Sequence, residues 1–165
     1  MTDRLVVLEI TRMEAVHLAG LVTQFADLLT ETTDATPDDP ALARLVPDAY
    51  ADDVDASREF RELTQRDLLD RRSTDAATVL ASLHSVAGPT LVTDDEEALT
   101  KIAIVELDAD TLGCWLRTLA ALRLVLASRL GIVDEADQDD TDPRFGIYDW
   151  LGYRLDGLVR AAEGD

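Results

Sequence analysis

One arginine falls where a helix ought to be apolar, and its chemistry frames the reading of the rest of the chain. At 100° per residue, Arg123 shares a helical face with Leu116, Leu119, Leu126 and Leu130. An arginine is almost never buried without a partner, so its guanidinium has to meet a carboxylate, a fan of carbonyl oxygens or an anionic ligand. Two chemistries follow. The first is a buried ion pair that fixes how the helices dock. The second is a small-anion site, with Arg71 or Arg44 nearby, around which a binding protein or an enzyme could be built. The acids placed to reach Arg123 are Asp67, Asp149 and Asp156. Asp67 stands at i,i+4 spacing from Arg71 on the face that carries Phe60 and Leu63, and Asp149 and Asp156 flank the core face of the last helix. Arg129, at the edge of the stripe, is expected to snorkel over the last turn of its helix.

A second group carries recognition rather than reaction. Trp150 and Tyr153 project from the last helix opposite its core face, with Gly157 one turn beyond. Outward aromatics mark either a partner or self-association surface, since Trp and Tyr dominate interface hot spots, or packing against a linker or an earlier helix. Other chemistries find no pattern. Counting a calcium loop from Asp137 puts Asp142 where glycine is needed and Tyr148 where a bidentate Glu is needed. His17 and His84 have no second histidine or cysteine at ligand spacing, which leaves no metal site to name. Cys114 lies in an almost wholly apolar helix and reads as inert core. No phosphate loop, nucleophile elbow or dinucleotide fingerprint occurs, so no cofactor is implied. Carboxylates are abundant enough to be adjacent by chance, so no catalytic residue is assigned.

Composition bounds what these residues can serve. The 165 residues are 47% apolar and 30% charged, enough to bury a core. There are 34 Asp and Glu against 15 Lys and Arg, a formal net charge of −19. Direct binding to nucleic acid or an anionic membrane rests on Lys and Arg neutralising phosphates, and this chain has the opposite balance. The acidity fits either solubility, as in a salt-adapted proteome, or function. One cysteine excludes an internal disulfide framework. No signal peptide opens the chain and no uncharged apolar run is long enough to span a membrane, so a cytoplasmic protein is expected.

The elements that must position these residues are legible in outline. Leu5 to Ile10 is short and β-branched enough for a strand, and Thr11 to Glu14 fits a capping box. Helical spacing from there to Leu29 gathers Leu18, Leu21, Val22, Phe25, Ala26, Leu28 and Leu29 on one face. Residues 30–40 read as an acidic linker, followed by a short helical piece, Ala41–Leu45, stopped by Pro47. A helix starts near Ala56, but by Val79 and Leu83 its apolar stripe has rotated about half a turn. That predicts a break or kink at Ser73-Thr74-Asp75 in preference to one helix facing two neighbours. Gly88-Pro89 ends the segment, and Asp94 to Glu97 reads as a charged loop. Lys101 to Asp108 echoes Arg4 to Thr11, so the two runs are expected to pair as a ribbon. Asp108 caps the longest helix, Ala109 to Leu130, which Gly131 closes. Its arginines at 117, 123 and 129 argue against a membrane span. Residues 134–143 read as a second acidic linker before a last helix, Phe145 to Ala162. The expectation is a mainly α fold, a single domain over 1–165 with four to five helices and a two-stranded β ribbon.

Three blocks resemble a known family. They are Arg44-Leu45-Val46-Pro47-Asp48-Ala49-Tyr50; then Trp115-Leu116-Arg117, Leu122 to Leu126 and Arg129-Leu130-Gly131-Ile132; and finally Tyr148-Asp149-Trp150-Leu151 with Leu158-Val159. In that order they are similar to an actinobacterial domain-of-unknown-function family, DUF2017, from the first strand to the last helix, the central block being the most specific. The family carries an Asn-Asp pair ahead of Leu-Arg in the long helix, where this chain has Ala120-Ala121. The resemblance implies no established activity. It does imply a gene neighbourhood that includes the Clp-protease adaptor ClpS, and a transcriptional-regulator label on some members. Three functional expectations result. The first is a non-catalytic interaction or regulatory module, linked to Clp-dependent proteolysis and partnered by Clp machinery or by a second copy as a homodimer. The second is an anion-binding protein or enzyme around Arg123. The third is a transcription-related regulator acting through a protein partner or by DNA mimicry.

Overall fold

Two apolar runs nearly a hundred residues apart meet first. β1 (Val6–Thr11) and β2 (Ile102–Leu107) pair antiparallel as a two-stranded sheet, with Val6 opposite Leu107, Leu8 opposite Val105 and Ile10 opposite Ala103. These are the buried residues of both strands, so one face of the ribbon joins the core and the other faces water. This computed structural model describes residues 4–31, 40–45, 54–87, 96–132 and 141–164. The helices among them are α1 (Arg12–Glu31), α2 (Pro40–Leu45), α3 (Val54–Ala87), α4 (Glu96–Leu99), α5 (Ala109–Leu130) and α6 (Pro143–Glu163). The fold is thus mainly α, with four long helices, two short ones and one small antiparallel sheet.

Local chemistry sets the helix ends. At α1 the Thr11 hydroxyl accepts from Glu14 N at 3.1 Å, and Glu14 returns the bond to Thr11 N at 2.9 Å, the reciprocal capping box read from sequence. Asp108 accepts from Thr111 N at 2.8 Å and so starts α5. Gly131, at φ 70°, closes the same helix in the left-handed conformation that glycine adopts without strain.

α5 is the core helix. It is long and apolar enough by length and composition to cross a membrane, but α2, α3 and α6 pack around it. Leu112, Trp115, Leu119, Ala121 and Leu122 are buried there with Leu29 and Val22 of α1 and Val79 and Leu83 of α3. Trp115 is the largest fully buried side chain, and large buried aromatics contribute heavily to the stability of a core.

Four boundaries differ from the sequence reading. The break expected at Ser73-Thr74-Asp75 is absent, and α3 runs unbroken through it. The alternative of one helix with more than one neighbour fits instead: α3 packs against α1, α5 and β2. Its polar residues bond back within the helix, Thr74 to Asp70 O, Thr78 to Thr74 O and Ser82 to Thr78 O. Glu96 and Glu97 open the short helix α4 rather than sitting in a loop. The first linker is narrower than 30–40, because α1 continues through Glu31 and Pro40 begins α2. The second is shortened too: Asp142 is the N-cap of α6 and Pro143 its first residue, where a missing N–H costs nothing. Residues 32–39, Pro47, Gly88-Pro89, Asp94-Asp95 and 134–140 lie outside the described residues.

Candidate functional site

Glu14 is where the chain ends meet. Its carboxylate completes the capping box of α1 and also receives three hydrogen bonds from α6. Trp150 Nε1 donates to Oε1 at 2.9 Å, and Arg154 donates one nitrogen to both oxygens at 2.8 Å. A second Arg154 nitrogen donates to the Glu9 carbonyl of β1 at 3.1 Å. Trp150 and Arg154 stand four apart, so one face of α6 presents an indole N–H and a cation to one acid. Burial by itself would raise the Glu14 carboxyl, but the bonds from Arg154, Thr11 N and Trp150, with the Arg154 charge, outweigh it and hold its pKa at about 2.

Beside this hub lies an open groove of about 750 Å³ between α1 and the first half of α6. Val16, His17, Gly20, Leu21 and Gln24 form one wall; Pro143, Gly146, Ile147 and Trp150 form the other, and Glu14 closes the end. The walls are mostly apolar, yet α1 and α6 stay apart, joined at Glu14 by side chains. A Cβ added at Gly20 or Gly146 would meet nothing within 4 Å, so both glycines widen the groove.

The two aromatics expected to share an outer surface therefore part company. Trp150 is half-buried and tied to α1, the packing against an earlier helix that was the competing reading. Tyr153 is 72% exposed, with the Arg154 guanidinium 5.7 Å from its ring centroid.

The network drawn around Arg123 is also divided. Arg123 turns toward α6, lies 4.0 Å over the Tyr148 ring and donates to the Tyr148 carbonyl at 3.3 Å. Gly152 makes room: a Cβ there would sit 2.9 Å from the guanidinium carbon. Among the described residues no carboxylate pairs with Arg123; an aromatic face and a carbonyl serve in its place. Asp67 and Arg71 are on α3, lining a polar depression of about 410 Å³ with Asp70, Thr74 and Asp75. Asp156 pairs with Arg160 at 3.0 Å on the surface of α6, and Asp149 is exposed on the same helix. Asp67 and Arg71 stand apart from Arg123 because α5 shows Arg123 to α6 while α3 packs on α5 elsewhere; on α6 itself Arg123 meets Tyr148, and Asp156 is taken by Arg160.

Its neighbour Arg117 found the carboxylate instead, donating to both oxygens of Asp75 at 2.8 and 3.0 Å. These bonds hold the Asp75 carboxyl below its usual range against the pull of burial. Burial and the nearby Asp75 push the Cys114 thiol up, which keeps it protonated and a weak nucleophile. His17 is exposed in the groove and His84 is exposed in the last turn of α3. Among the described residues no cluster of three or more His, Cys, Asp or Glu is placed to hold a metal ion.

Sequence reasoning took Glu14 as a cap and missed its second task. The available signal was the Trp150–Arg154 pair, whose polar ends call for one acceptor that the chain supplies 136 residues earlier. Across residues 1–162 the chain matches the model of a family described as a domain of unknown function (DUF2017). No curated protein and no solved structure matches it.

Proposed function

We propose that this chain, which belongs to the DUF2017 family, is a non-catalytic cytosolic interaction or regulatory module whose α1–α6 groove seats apolar side chains of a partner protein. The observation that carries this is the groove itself: apolar walls, open to water, held apart by a polar hub rather than collapsed. Its volume of about 750 Å³ lies within the range of recognition clefts, and Trp150 supplies the kind of rigid aromatic wall on which interface hot spots form. A net charge of −19 steers basic partners toward it. The gene neighbourhood implied by the family makes Clp components the first partners to test. Basic DNA-binding proteins, which an acidic mimic of DNA would engage, come next.

Filling the groove tests this without damaging the fold. Leucine at both Gly20 and Gly146 meets no existing atom at its Cβ, and replacing a mid-helix glycine strengthens the helix. Capture from native lysate should retain a specific partner on the natural protein and lose it on the Gly20→Leu/Gly146→Leu protein, whose melting temperature is not lowered. A partner held equally by both proteins sinks the groove as the docking site.

A further inference from the structure

The two edges of the ribbon are not alike. Arg12 N donates to Lys101 O at 2.9 Å, which extends the ladder and makes 12/101, and with it 10/103, 8/105 and 6/107, the hydrogen-bonded pairs. The alternate residues therefore turn their backbone N–H and C=O away from the partner strand. On β1 the end of this outer edge nearest α1 is occupied: Thr11 N–H donates to Glu14 and the Glu9 carbonyl accepts from Arg154. On β2 the outward groups belong to Ile102, Ile104 and Glu106, and among the described residues nothing bonds to them.

The outward side chains of that strand are exposed as well. Ile102 is 65% exposed and Ile104 55%, beside Val7 at 53% on the same outer face. Proteins ordinarily blunt such an edge with proline, charged side chains or a bulge; β2 reads Ile-Ala-Ile-Val-Glu-Leu, with charges only toward its two ends, Lys101 just before it and Glu106 within it, and neither proline nor bulge between them.

We infer that the free edge of β2 is a second docking surface, which takes an extended segment of a partner protein as a third strand. The partner segment carries branched apolar residues opposite Ile102 and Ile104 and Arg or Lys opposite Glu106. Strand addition supplies affinity through the backbone and specificity through alternate side chains. Charge selects this occupant. Glu9 and Glu106 are the acidic residues on the outer face of the paired strands, and the chain as a whole carries −19. A second copy paired about Ile104 would set each Ile102 against a Glu106, an apolar side chain against a charge, between two chains of the same net charge of −19. This surface is separate from the α1–α6 groove, and the two readings fail independently.

Hydrogen exchange on the full ¹⁵N-labelled chain reads the edge directly. The probe is a short synthetic peptide with Arg, Val and Ile at alternate positions and Thr between them; a scrambled peptide of the same composition is the control. Saturating probe should slow exchange at the amides of Ile102, Ile104 and Glu106 by about tenfold or more, and the control should not. Ile104→Pro removes an N–H that the ribbon itself does not use, so protection at Ala103 and Val105 persists while the probe no longer binds. Glu106→Arg should weaken the probe and restore binding to a version with Glu in place of Arg. This charge exchange decides the matter should the proline variant unfold. Four results overturn the inference: no slowing at the three amides, equal binding of the scrambled peptide, binding indifferent to both substitutions, or sedimentation showing self-association that Ile104→Pro abolishes.

Discussion

α3 and α6 flank α5, and the molecule closes its two sides by different means. On the α3 side, Leu69, Ala76, Val79 and Leu83 are buried against α1 and α5, and the polar Arg117–Asp75 pair sits at the rim. On the α6 side, Leu151 and Leu158 are buried. Where α6 approaches α1, however, apolar contact gives way to the Glu14 hub and an open groove. The difference teaches where this protein keeps stability and where it keeps accessible surface. Matched apolar stripes close on one another, because burial is favourable and non-directional. Glycines and a directional polar pin hold helices at a fixed distance and leave a groove between them.

The largest effect that sharpens this contrast is on the α3 side. Leu83 is fully buried, so Leu83→Ala should cost about 2–5 kcal/mol in urea unfolding. Next comes the pin. Glu14→Gln keeps the size of the side chain but strips the counter-charge from Arg154, and should cost about 2 kcal/mol. The pH dependence has a definite sign. The folded pKa is held at about 2, below the ordinary 4.5, so the unfolded chain binds the proton more readily. The stability gap between natural protein and variant is therefore complete above pH 4.5 and closes as the pH falls toward about 2. Thermal melts across that range would show it, and a gap unchanged at low pH would break the comparison. Smallest is the rim. Arg117 is 59% exposed, so Arg117→Ala should cost about 1 kcal/mol or less, with the loss shrinking in high salt.

What could be read in advance divides by the range of the interaction. The Thr11–Glu14 box, the Asp108 cap, the Gly131 stop and the inward face of the ribbon were legible because each rests on residues within one turn or on strand alternation. The continuity of α3 was not. A rotating stripe is the same pattern whether a helix breaks or changes neighbours, and only the positions of α1, α5 and β2 distinguish the two. The surroundings of Arg123 were half legible. Its need for a partner follows from burial, but a guanidinium is satisfied by a carboxylate or by a ring and a carbonyl, and spacing does not choose between them.

By itself, the sequence determined the mainly α composition, the ribbon, the helix caps and the net charge of −19. These are decided by propensity, by hydrogen bonds within a few residues and by charge count. The tertiary structure alone decided that Trp150 and Arg154 close on Glu14, that Arg123 lies on Tyr148, that a groove separates α1 from α6 and that, among the described residues, no strand pairs with the outer edge of β2. Each joins residues distant in the chain, and a side chain with several satisfactory partners takes the one that packing of the whole brings within reach.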